Sequence, residues 1–157
     1  YCGIEAEERG QGEAIARNLI EMAGLKTQII AVIIGEGGSG GALGLGVADR
    51  VYALENSYYS VISPEGCASI LLRDATRAPE AAEKLKLDSE NLVEFKIVDA
   101  LIPEPLGGAH RDYNEVAANI KKIVLDAYKE LKGQTIEELK ENRYNKFRTL
   151  GQFTELS

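Results

Sequence analysis

Apolar positions along the chain switch repeatedly between a helical and a strand-like spacing. Over residues 7 to 23, Ile15, Leu19 and Met22 recur three to four positions apart, with Glu7 and Glu8 in a first turn where the helix dipole favours them. This predicts a first helix. Residues 28 to 34 are apolar at nearly every position and mostly β-branched, as in a strand covered on both faces. Residues 41 to 48 read as a short helix in which Gly44 and Gly46 each cost about 1 kcal/mol against Ala, so close packing on another backbone is expected there. Residues 50 to 54 and 59 to 62 read as two more strands. Ser63 as N-cap with Pro64 at the first helical position predicts a helix through Ile70 and Leu72. A helix over residues 79 to 87, a turn begun by Asp88 as N-cap, and a short strand around residues 97 to 102 follow. Beyond the loop at residues 103 to 108, residues 114 to 131 are amphipathic through Val116, Ile120, Ile123, Val124 and Tyr128. Thr135 and Glu138 then form a capping box for a last helix to about Phe147, whose charged run over residues 137 to 148 reads as a solvated face.

Strands alternating with helices define an α/β class with mostly parallel pairing. About four short strands are few for a doubly covered sheet, so the N-terminal part of the parent domain is expected to lie outside this sequence. A length of 157 residues and 45% apolar composition suit one core, hence one domain or a piece of one. The formal charge of −7 and isoelectric point near 4.9 argue against nucleic acid or an anionic membrane as the main partner. Cys2 and Cys67 stand in no C-x-x-C pattern, and with one His they cannot build a structural zinc site. No metal is expected in this chain. Isolated thiols and the lack of an apolar run of about 18 residues lead to the expectation of a soluble, cytoplasmic protein.

The candidate chemistry lies in Gly35-Glu36-Gly37-Gly38-Ser39-Gly40-Gly41-Ala42-Leu43-Gly44-Leu45-Gly46, seven glycines in twelve positions. So dense a cluster, set between a strand and a helix, implies main chain that must approach something closely, with free N–H groups and a helix dipole that favour an anion. Gly35-x-Gly37-x-x-Gly40 matches a dinucleotide fingerprint, with Glu55 about 20 residues on. Against it, the interval from Gly40 to Arg50 holds barely two helical turns, too few for the crossover helix of that fold. Gly37-x-Ser39-x-Gly41 matches a nucleophile elbow, with Asp99 and His110 following in Ser, Asp, His order. Asp99 opens a strand and His110 sits in a Gly-rich turn, where a capping or structural role is the simpler reading. No Lys follows the loop, which excludes a Walker A phosphate loop. The remaining readings are an oxyanion hole made by the amides of Gly40 and Gly41, and a tight packing turn with no ligand.

Five segments, Glu7-Glu8-Arg9-Gly10-Gln11, Glu13-Ala14-Ile15-Ala16-Arg17-Asn18-Leu19, Gly35 through Leu43, Tyr59 through Ala68, and Glu104-Pro105-Leu106-Gly107-Gly108-Ala109-His110, resemble in order and spacing the α subunit of bacterial acetyl-coenzyme A carboxylase carboxyltransferase. The resemblance covers the whole chain but only the C-terminal half of that family's polypeptide. It implies a crotonase-like (ClpP/crotonase) fold, a spiral of ββα units, with residues 1 to about 110 in the core and about 111 to 157 in C-terminal helices. It also implies transfer of a carboxyl group from carboxybiotin, borne on a separate biotin carboxyl carrier protein, to acetyl-CoA, giving malonyl-CoA for fatty acid biosynthesis. A zinc-ribbon β subunit that holds CoA would complete the site in an α2β2 assembly. On this resemblance Gly40 and Gly41 are the oxyanion pair. Gly37, Gly38, Ser39 and Ala42 are expected to line the substrate, and Ser63 and Pro64 either present a second helix N-terminus to biotin or simply make a capped helix start. Helix one and the C-terminal helix would be interface elements. Three positions depart from the family: Cys2, Glu5 and Gly12 stand where Pro, Gly and Ser are usual. The alternatives are a non-catalytic structural or binding fragment, and a hydrolase using Ser39, Asp99 and His110.

Overall fold

A computed structural model describes residues 3–151, so Cys2 lies outside the described residues. The chain runs α1 (Ile4–Glu8), α2 (Gln11–Gly24), β1 (Ile30–Ile33), β2 (Glu36–Gly38), α3 (Ser39–Gly46), β3 (Arg50–Leu54), β4 (Tyr58–Ser60) and α4 (Pro64–Cys67). It continues through a wide turn at Ala68–Leu72 and a short 3₁₀ turn at Ala75–Arg77 into α5 (Ala78–Leu85), α6 (Ser89–Glu94), β5 (Ala100–Ile102), α7 (Tyr113–Leu131) and α8 (Ile136–Arg148). Two successive ββα units, β1-β2-α3 and β3-β4-α4, generate the architecture. The first strand of each enters a parallel sheet ordered β1-β3-β5, and the second enters a parallel pair β2-β4. Ile30 lies opposite Arg50 and Glu36 opposite Tyr58, so the units stack almost in step.

The larger sheet is covered on both faces, as its unbroken apolar strands require. Side chains alternate along a strand. Val51 and Ala53 point to a core containing Leu92 and Val98, while Tyr52 and Leu54 point to a second core containing Ile102, Val116 and Ala127. Helix α7 closes that second face, its start capped by Asp112, whose carboxylate accepts the N–H of Asn114 and Glu115. A third, smaller cluster of Cys67, Ala68 and Ala81 joins α4 to α5.

Several expectations need correction. The first helix is two: Gly10 adopts φ +80 between α1 and α2, a left-handed turn that Gly enters without steric cost. Glu36–Gly38 is a strand and not a loop; its backbone pairs with β4, and at Gly37 a side chain would crowd Tyr59. The helix after Ser63 changes to wider winding from Ala68. Glu5, expected on the loop leading into the first helix, lies on α1, exposed and paired with Arg9 at 2.9 Å.

The largest correction concerns α8, whose charged run is not a wholly solvated face. Arg143 is 2% exposed. Its Nε and one terminal nitrogen donate to the two carboxylate oxygens of Asp49 at 2.8 and 3.0 Å. The guanidinium also donates to the carbonyls of Met22, Leu25 and Thr27 at 3.0, 3.0 and 2.8 Å. Asp49 in turn accepts the N–H of Ile29 at 2.7 Å. One side chain thus caps the C-terminal carbonyls of α2 and locks them to the entrance of β1 and β3. Removing one partner of a buried pair strands the other charge. Arg143→Ala should cost about 3–5 kcal/mol in chemical denaturation, and Arg143→Lys should recover only part, because an ammonium cannot reproduce the fork.

Exposed caps add a pH dependence. Asp74 is held below the ordinary carboxylate range by the hydroxyl and then the N–H of Thr76, Asp88 by the N–H and side chain of Asn91, and Glu138 by the N–H and hydroxyl of Thr135. A depressed folded-state pKa stabilises above the unfolded value, and that stability is lost as pH falls through the folded value. Denaturation followed from neutral pH into strong acid should therefore show stability falling from the ordinary carboxylate range downward until the folded-state carboxyls are themselves protonated, with a shallower slope for Asp88→Asn.

Candidate active site at the glycine helix

The glycine segment is built by β2 feeding directly into α3. Gly38 is extended at φ −126, and Ser39 turns left-handed at φ +56 to open the helix. For a non-Gly residue that turn costs about 1–2 kcal/mol. No side chain caps the helix start. Among the described residues, no carbonyl or side chain outside the helix accepts the N–H of Gly40 or Gly41. Gly40 is half-buried because Ile15 of α2 lies above it, 3.3 Å from where a Cβ would stand. Gly41 is exposed, and a Cβ there would meet nothing within 4 Å. Two unpaired donors at a helix N-terminus, one roofed and one open, can hold an oxyanion.

Two hollows flank this turn. One, of about 390 Å³, is lined by Gly37, Gly38 and Ala42 together with the outer part of β1. The other, of about 970 Å³, has Ser39 and Val61 on its wall and runs past Lys86, Phe95 and Phe147. The Lys86 ammonium sits 5.5 Å from the Phe95 ring centroid, a cation over an aromatic face. Gly46 and Tyr59 are the two residues common to both hollows. Tyr59 is not among the residues expected to line the substrate, although it opens the segment that runs to Ala68. Burial pushes its phenol upward, so it stays a neutral hydrogen-bond donor. Its hydroxyl points to the carbonyl of Ala42 at 3.4 Å.

Gly40 and Gly41 themselves line neither hollow, and other expected positions fall farther away. Ser63 and Pro64 line neither hollow: Ser63 Oγ accepts the N–H of Gly66 at 3.1 Å and Pro64 begins α4, a capped helix start. The hydrolase constellation is not assembled. Asp99 accepts the N–H of Val51 and the ammonium of Lys146, and among the described residues no hydrogen bond links Ser39, Asp99 and His110. His110 lies exposed in a 3₁₀ turn beside Gly108. Glu55 accepts the N–H of Glu104 at 2.9 Å, and the glycine run contains a strand, so the dinucleotide geometry is absent too. No group of three or more His, Cys, Asp or Glu among the described residues could hold a metal ion, and none of their helices is long and apolar enough to cross a membrane.

Solved structures with the same arrangement set the class. A Pseudomonas malonate decarboxylase hetero-tetramer in complex with coenzyme A superposes with a TM-score of 0.72 at 18% identity, over 94% of this chain and 59% of that one. An enoyl-CoA hydratase from Mycobacterium avium subsp. paratuberculosis superposes with a TM-score of 0.54 at 21% identity, over 86% of this chain and 55% of that one. The stacked ββα units are therefore those of a crotonase-type fold. The chain belongs to the acetyl co-enzyme A carboxylase carboxyltransferase-like family, whose model matches residues 1–151. It is 60% identical over 153 residues to the acetyl-coenzyme A carboxylase carboxyl transferase subunit alpha of Fusobacterium nucleatum subsp. nucleatum, covering 98% of this chain and 49% of that protein. A Thermus thermophilus subunit of the same name is 55% identical over 99% of this chain and 50% of its own length. The chain thus spans about half the length of the curated relatives it matches.

Relief of the left-handed strain gives a direct check on the turn. Ser39→Gly removes about 1–2 kcal/mol of strain against about 0.4–1 kcal/mol of added unfolded-state entropy, so it should leave stability unchanged or slightly raised, whereas Ser39→Val should lower it. Urea denaturation of the three forms distinguishes them.

Proposed function

We propose that this chain carries the biotin-facing half of an acetyl-CoA carboxyltransferase site, in which the amides of Gly40 and Gly41 donate to the oxygen that becomes negative as a carboxyl group leaves carboxybiotin. The receiving substrate is acetyl-CoA and the product malonyl-CoA. The single observation that supports this most is the pair of unaccepted N–H groups in the first turn of α3, on a chain of this family. The residues present fit a urea oxygen. They offer donors and no competing side chain, since Ser39, Gly40, Gly41 and Ala42 carry nothing ionisable.

Carboxybiotin supplies the carboxyl group, delivered by a biotin carboxyl carrier protein. The helix dipole of α3 adds to the two amides, and Ile15 keeps water off the Gly40 side. Donors fixed before the reaction act on charge that develops during it, so they lower the barrier instead of merely tightening binding. The turn carries no base of its own, which leaves proton transfer to the substrates and the CoA side to a partner. A β subunit with a zinc ribbon that holds CoA, in an α2β2 assembly working in the cytoplasm, fits this division. Exposed apolar side chains beside both hollows support a shared site: Leu45 at the smaller and Val61 at the larger are each 74% exposed.

The test is malonyl-CoA decarboxylation in the presence of free biotin by the complete subunit mixed with a β subunit. Gly41→Val places its side chain in open space and should leave folding intact while lowering kcat about 100- to 1000-fold, the effect of losing one oxyanion donor. Ser39→Ala should retain most of the activity. The reverse ranking, or a wild-type assembly without turnover, would overturn the reading.

A further inference from the structure

The glycine run holds more glycines than an amide pair needs. Two of them answer to one side chain. A Cβ at Gly46 would stand 2.5 Å from the Tyr59 hydroxyl, and a Cβ at Gly37 would stand 3.2 Å from Tyr59 Cδ2. The ring therefore lies across the segment, its edge over the centre of β2 and its hydroxyl at the last residue of α3. Between these contacts the hydroxyl points to the Ala42 carbonyl, in the turn that follows the Gly40 and Gly41 amides. The remaining face of Tyr59 packs on the core that contains Ala48, Val51 and Leu92. That packing holds one side of the ring against the core. Tyr59 is also part of the common wall of the two hollows.

We propose that Tyr59 is the positioning residue of this site, a rigid spacer seated on Gly37 and Gly46 that fixes the tilt of α3 over β2 and thereby the aim of the Gly40 and Gly41 amides. The aromatic ring suits the task because it has few rotatable bonds, and α3 itself is only two turns long and uncapped. Without a spacer, nothing in the helix's own first turn determines where its amides point. Tyr59 touches no reacting atom. Its effect reaches the substrate only through α3, and the inference rests on the carboxyl-transfer reading for its catalytic consequence alone.

The contact distances make a specific test. The obstacle at Gly46 is the hydroxyl at 2.5 Å, while the next ring atom, Cζ, is at 3.3 Å. Gly46→Ala should therefore push the ring aside although Ala is the better helix former, and removal of the hydroxyl should restore the fit. In the complete subunit assembled with its β partner, Tyr59→Phe should keep kcat within about threefold of the wild type. Tyr59→Leu and Gly46→Ala should each lower kcat about 100-fold with little change in the KM for biotin, because misaimed amides lose transition-state contacts first. The double variant Gly46→Ala with Tyr59→Phe should return to within about threefold of Tyr59→Phe alone. A double variant as slow as Gly46→Ala, or a Tyr59→Leu enzyme with wild-type kcat, overturns the proposal. Melting temperatures of the same four variants read the seat without any turnover. If the wild-type assembly proved inactive, the carboxyl-transfer reading would fall, whereas recovery of the Gly46→Ala melting temperature by Tyr59→Phe would still support the seat and its absence would overturn it.

Discussion

The Arg143 guanidinium, buried in α8, is bonded to Asp49 and to the carbonyls of Met22, Ala23, Leu25 and Thr27 at and just beyond the end of α2, and this one cluster joins three parts of the chain far apart in sequence. Asp49 sits at the entrance of β3 and also accepts the Ile29 N–H that leads into β1. The ion pair therefore sets where the two central strands begin. Through α2 it also sets the height of Ile15, the side chain that roofs Gly40. A charge pair taken out of water gives back little net stability, but it accepts few alternative geometries. Here it fixes the orientation of a helix that has no fully buried residue of its own.

The glycine segment performs two separable tasks. Gly37 and Gly46 make room for Tyr59; Gly40 and Gly41 leave their amides free. Ser39 between them is the only member of the segment with a left-handed backbone and a side chain, so that bend falls between the paired strand β2 and the start of α3. Strain of this kind persists where the surroundings over-determine the backbone, here by the β2-β4 pairing on one side and the Tyr59 ring on the other.

Much of this was legible in the residues. The unbroken apolar run of β1, the Ser63–Pro64 helix start and the Thr135–Glu138 capping box all fold as their local chemistry dictates. What local pattern could not show was partnership across the chain. Arg143 looks like any solvated residue of a charged helix until Asp49, 94 positions away, is placed beside it. Glu36–Gly38 lacks every mark of a strand and becomes one because β4 supplies its hydrogen bonds. Tyr59 announces itself only through the missing side chains of Gly37 and Gly46. The long motifs carried the family, and short templates such as Ser39, Asp99 and His110 in order did not survive three dimensions.

A peptide hydrogen neither ionises in the physiological range nor reacts with an oxidant or an electrophile. In the proposed role, a negative oxygen at the first turn of α3 would be met by dipoles whose strength is indifferent to acidity and to redox state. Sensitivity to either must then enter through what is bound or through the neighbouring polypeptide. The same economy makes the turn vulnerable to shape alone, since a single methyl in the wrong place does what no change of charge could.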